Sequence, residues 1–193
     1  MQRMEVSMLC VRIRTFLCML VHHFQIGVRT SGLIVFRKEP ETQSENRRRY
    51  SVEDICESLH PAQTEALLFL HCWSGRDTTS GFYGYGKLEL FKKVNRSAKL
   101  QKIARQMGES NSSDDIGQLR VQLASFQYGD GDFGTDLSGL QYSKFCDIVA
   151  ECSKFDNRVL PPTPRTIHFH SLRCHLQLVR WTIRFSMKLS GGG

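Results

Sequence analysis

The sequence has no C-x-x-C pair, no Gly-x-Ser-x-Gly and no Walker-type phosphate loop. It also has no apolar run approaching the roughly 18 residues of a membrane-spanning helix. Each absence removes a class of function. Without C-x-x-C, and with an odd seven cysteines at 10, 18, 56, 72, 146, 152 and 174, a disulfide framework and a standard structural zinc site are both disfavoured. Reduced thiols in a nuclear or cytoplasmic protein are the simpler reading. Cys146, Cys152, His168, His170, Cys174 and His175 lie close in sequence, but their spacings fit no usual ligand pattern. Without Gly-x-Ser-x-Gly a hydrolase elbow is unsupported, and Gly84-Tyr85-Gly86-Lys87 is too short for a Walker loop. Acid is scarce as well: Asp and Glu number 19 against 26 Lys and Arg, a net charge of +7, and Glu5 is the only acid before Glu39.

What is present bounds the chain further. Its 193 residues, 40% hydrophobic, suffice for one domain, or one domain and a tail. The positive charge is clustered: Arg47, Arg48 and Arg49 form one group, and Lys87, Lys92, Lys93, Arg96, Lys99, Lys102 and Arg105 a longer one. Clustered cations suit a polyanion, because each phosphate contact releases condensed counterions. The bland alternative is a solvated basic surface.

Phe16–Val21 is a short apolar run that suits a buried strand, although its periodicity fits a helix as well, and Gly32–Phe36 is a second strand candidate, richer in β-branched residues. Residues 37–49 read as loop. Ser51 caps a short helix over Val52–Leu59, with Glu53 and Asp54 in its first turn. Pro61 opens a helix over Ala62–Trp73, which Gly75 ends. Gly84-Tyr85-Gly86 makes a tight turn before a basic helix, Lys87–Val94, and Ser97 caps another running to Met107. Residues 108–115 read as linker, and Gln118–Phe126 fits helix or strand equally. Residues 129–139, with four Gly and three Asp, read as loop. Their Asp130-Gly131-Asp132 start lacks the glycine and the final glutamate of a calcium loop. Tyr142–Phe155 looks helical. Pro161-Pro162-Thr163-Pro164 is a rigid break before a last helix, Arg165–Leu189, on which Leu172, Leu176, Val179, Ile183 and Met187 share a face.

The most specific stretch is His71-Cys-Trp-Ser-Gly-Arg-Asp-Thr-Thr-Ser-Gly-Phe-Tyr-Gly-Tyr-Gly-Lys87. Asp77 precedes three hydroxyl residues, good turn and capping chemistry. Gly84-x-Gly86-Lys87 opening a helix sets unencumbered N–H groups beside a positive helix end, suited to an anion. Lys92 and Lys93 can then follow a phosphate backbone.

This stretch resembles the helix–turn–helix element of the flap-endonuclease superfamily. It is more similar to that of a group of transposon-associated animal proteins with a PIN-like core. The second motif of the resemblance is Leu160-Pro161-Pro162-Thr163, followed by His170, Leu172 and Arg173; Arg48-Arg49-Tyr50 also fits, and the likeness spans residues 14–185. It implies an α/β fold: a partial PIN-like core with one or two strands near the N-terminus, then a mostly helical region carrying the helix–turn–helix. It implies DNA as partner, and Asp77 as a residual metal ligand. Leu20-Val21-His22-His23-Phe24 matches the end of a family strand that begins with Asp-Thr-Asp. Here that element is Arg14-Thr15-Phe16, and Arg76 replaces a cysteine. Arginine and phenylalanine cannot ligate Mg²⁺, and the upstream core with its further acids is missing.

The expectation is therefore a degenerate nuclease-like chain with no cofactor and no membrane partner. It binds duplex or junction DNA through phosphates, using Gly84, Gly86, Lys87, Lys92 and Lys93 with Arg47, Arg48 and Arg49 in support. Residues 1–107 form the core fragment and basic element, 108–140 a linker, 141–189 a C-terminal helical region and 190–193 a flexible tail. Two alternatives stay open. One is a Mg²⁺-dependent endonuclease using Asp77 with acids such as Glu53, Asp54 or Asp114. The other is a non-catalytic interaction protein or decayed gene product, in which the amphipathic C-terminal helix serves a partner. A core missing strands also exposes a sheet edge prone to self-association.

Overall fold

The computed structural model describes residues 15–25, 35–38, 48–75, 79–109, 113–129, 136–151 and 155–190. In chain order these form α1 (Thr15–Gln25), β1 (Val35–Lys38), β2 (Arg48–Ser51), α2 (Val52–Ser58), α3 (Pro61–Trp73), α4 (Lys87–Arg96), α5 (Ala98–Glu109), α6 (Ser113–Tyr128), α7 (Leu137–Glu151), a 3-10 turn at Asn157–Val159, and α8 (Pro164–Ser190).

α3 is the axis of the fold. Its start is well specified: Pro61 occupies the first turn, Ala62 N–H donates to His60 Nδ1, and His60 N–H donates to Gln63 Oε1. From Ala66 to Trp73 every residue is buried. A helix apolar on all sides must be surrounded, and α1, α4, α5 and α8 pack against it. One continuous core joins Leu17 and Val21 of α1, Phe69 and Trp73 of α3, Ile103 and Met107 of α5, Leu123 of α6 and Ile167 of α8.

The expected α/β architecture is not what forms: the described residues are overwhelmingly helical and show no PIN-like sheet core. Phe16–Val21, read as a strand, lies in α1. Its buried residues Leu17, Cys18 and Val21 follow helical spacing. Only Val21 of that run is β-branched, and a six-residue apolar run does not separate strand from helix by pattern alone. Val35 and Phe36 of the second strand candidate do extend, but they pair antiparallel with β2, part of the stretch read as loop. The register sets Arg37 against Arg49 and Lys38 against Arg48. This two-stranded pair is a ribbon beside a helical body, and no parallel sheet runs through the core among the described residues.

The 108–140 stretch, expected as a linker, contains α6. Ile116, Leu119, Leu123 and Ala124 are buried, and the helix packs on α5, α7 and α8. Gly117, Ser113 and Ser125 mask its periodicity in sequence. α7 begins earlier than expected because Asp136, within the Gly/Asp-rich stretch, caps it. The Ser138 and Gly139 N–H groups donate to its carboxylate at 2.9 and 3.0 Å. Elsewhere the local signals hold. Ser51 accepts from Asp54 N–H and Ser97 from Leu100 N–H. At the start of α8, Thr163 Oγ1 accepts from Thr166 N–H, a cap that was not among the expectations. Gly75 leaves α3 at φ +91°.

Candidate nucleic-acid interface

The two separated sequence motifs meet in space, at the C-terminal end of α3. A helix end leaves carbonyls without intrahelical partners, and a buried end needs donors from elsewhere. Each is supplied here by a residue that stood out in the sequence. Ser74 Oγ donates to Leu70 O at 2.6 Å and Thr79 Oγ1 to Cys72 O at 2.8 Å. His170 Nε2, from α8, lies 3.1 Å from Trp73 O, and Lys87 Nζ donates to Gly75 O at 2.8 Å. Trp73 itself is fully buried, and its indole N–H donates to Gln127 Oε1 at 2.6 Å. Phe82 and Tyr85, from the glycine-rich stretch, pack on His170 and Tyr128 respectively, with ring centroids 4.6 Å apart in each pair.

The same geometry decides what the His170–Cys174 pair can do. Cys174 Sγ lies 3.4 Å from His170 Nε2, a spacing that suggests a thiol–imidazole couple. Trp73 O can only accept, so Nε2 carries the ring proton and cannot take one from the thiol. Burial also holds His170 near pKa 4 and raises the Cys174 thiol well above its usual range. No thiolate forms, and the pair is packing rather than a nucleophile.

The cations divide sharply. Lys87 reaches back to the end of α3, as above. Lys93 donates to Phe126 O and Gln127 O at 3.2 and 3.0 Å, closing the C-terminus of α6, with Tyr85 beneath it. Arg105 forms an exposed ion pair with Glu65. Lys92 and Arg96 on α4, and Lys99 and Lys102 on α5, are exposed. Among the described residues none of these four is paired with a carboxylate. Spacings of four and three place each pair on one face of its helix, and Lys99 Nζ also lies 5.3 Å from the centre of the Phe126 ring.

Gly84 makes its turn at φ +78° with nothing near it, and Gly86 is the N-cap of α4 with no side-chain cap. Arg48 and Arg49 lie in β2; Arg47 and Asp77 lie outside the described residues, as does the side chain of Asp114. Glu53 and Asp54 sit exposed in the first turn of α2. Among the described residues no three His, Cys, Asp or Glu side chains converge on a possible metal position. No described helix is long and apolar enough to cross a membrane. A cavity of about 400 Å³ between α5 and α6 is lined by Gln106, Glu109, Asp115, Gln118, Leu119 and Gln122.

Sequence reasoning therefore selected Lys87 and Lys93, whose ammonium groups are held by backbone, and passed over Arg96, Lys99 and Lys102 as individual contacts. The available signal was helical spacing: on α4 the buried positions Leu90, Phe91 and Val94 flank Lys93 and leave Lys92 and Arg96 outward. Comparison with known proteins finds no matching family model, curated protein or solved structure.

Proposed function

We propose that the chain binds the phosphate backbone of duplex or junction DNA without sequence preference, through the α4–α5 surface. One observation carries this reading. Between residues 78 and 108 there are seven cations and a single acid, Glu89. After two of those cations are held by backbone carbonyls and one pairs with Glu65, four remain exposed on the consecutive helices α4 and α5. Exposed like charges on neighbouring turns repel, and a row of phosphates relieves that repulsion. The proposal contains no hydrolytic step.

The test is fluorescence anisotropy with a labelled 20-base-pair duplex at several salt concentrations. Four phosphate contacts predict a slope of log affinity against log salt near −3.6, about a hundredfold loss between 50 and 200 mM. K92Q/R96Q/K99Q/K102Q should flatten that slope by about the same amount, while AT-rich and GC-rich duplexes bind alike. Salt-independent binding, or an unchanged quadruple variant, refutes the proposal.

A further inference from the structure

α8 is apolar on two opposite faces, and the core occupies only one. Ile167, His170, Ser171, Cys174, Leu178 and Trp181 face the core and are buried. On the far side Phe169, Leu176 and Ile183 are 46%, 51% and 53% exposed, with half-buried Leu172 and Val179 between them. This second stripe contains four of the five residues that sequence periodicity singled out, and three of its members, Phe169, Leu176 and Ile183, are exposed while Leu172 also touches the core. Its spacing, 169-172-176-179-183, alternates steps of three and four, the a/d pattern of a coiled-coil seam. In that register Arg173 and Arg180 occupy the flanking e positions, and both are exposed. The other flank is taken up by the body of the protein: His168 contacts Arg120, and His175 Nδ1 lies 2.8 Å from Met107 O.

We infer that this outer face of α8 docks a helix of another protein, one that presents a heptad seam of aliphatic residues with acidic residues along its flank. The charge pattern selects this occupant. α8 holds five cations (Arg165, Arg173, Arg180, Arg184 and Lys188) and no Asp or Glu over residues 164–190. A second copy of α8 would bring arginine against arginine or histidine with no acid to offset either, whereas glutamates opposite Arg173 and Arg180 complete the pairing. The helix is already formed by its packing on α3 and α6, so docking costs it no folding entropy. The seam is independent of the α4–α5 cations.

The experiment uses the full chain and two synthetic three-heptad peptides with leucine at a and d. One has glutamate at e and g, the other lysine, and like-charged flanks keep each from pairing with itself. Anisotropy should show saturable binding of the glutamate peptide, at least about tenfold tighter than the lysine peptide. L176S/I183S should abolish it while leaving the circular dichroism unchanged, since both side chains are exposed. R173E/R180E should reverse the preference towards the lysine peptide, and K92Q/R96Q/K99Q/K102Q should change nothing. Equal binding of the two peptides, no binding of either, or a preference unmoved by R173E/R180E overturns the inference. So does dimerisation in analytical ultracentrifugation that L176S/I183S abolishes, which assigns the seam to a second copy. Uptake by phosphatidylserine vesicles through the same two residues assigns it to a lipid surface and likewise overturns it.

Discussion

Acid should loosen this fold through His170, and the size of the effect follows from its position. The ring is wedged between Phe82 and Trp73, with its Nε2 proton on Trp73 O. Burial, with Arg173 nearby, lowers its pKa from 6.5 to about 4. The unfolded chain therefore binds a proton that the folded chain refuses between those two values. Stability is intact above pH 6.5, is lost as pH falls from 6.5 to 4, and loses nothing further from this group below 4. At pH 4.5 the loss amounts to about 2.5 kcal/mol, against about 0.2 kcal/mol at pH 7. His170→Gln retains an N–H donor for Trp73 O but has no titration. The assay is urea unfolding of both proteins at pH 7 and 4.5, followed by circular dichroism. His22, also held near pKa 4 by burial, contributes equally to both and cancels in the comparison. The wild type should lose about 2 kcal/mol more than the variant between the two pH values. Equal losses would refute the assignment of a neutral, buried imidazole to position 170.

Three further outcomes follow from the same geometry. Gly75→Ala should cost about 2 kcal/mol or more in urea unfolding, because the site has φ +91° and an added Cβ would lie 2.4 Å from Gly81 Cα. Gly86→Ala, at φ −80° with open space around it, should be nearly neutral. Adjacent lysines should behave oppositely: Lys93→Ala uncaps α6 and should cost about 1–2 kcal/mol, while Lys92→Ala should change stability by under about 0.5 kcal/mol and weaken DNA binding. In maleimide labelling followed by peptide mapping, exposed Cys146 should react in the native protein. Buried Cys56, whose thiol is pushed up to about 11, and Cys174 should react only on unfolding.

Local chemistry was legible from residue order alone. The caps at Ser51 and Ser97, the proline entry to α3 and the glycine exit at position 75 depend on interactions within three or four residues, so sequence determined them. The scarcity of acid and the clustering of cations were likewise plain. Three matters were decided only by tertiary packing. A short apolar run such as 16–21 satisfies either a strand or a helix, and α3 and α8 offered it a helical surface in place of a sheet. The duty of each lysine depended on whether a helix C-terminus lay within reach, which put Lys87 and Lys93 on backbone carbonyls and left Lys92 in solvent. The choice between the two apolar faces of α8 turned on His170. Its ring answers the buried carbonyl of Trp73, 97 positions away in the chain, and a contact of that span leaves no periodicity for sequence to show.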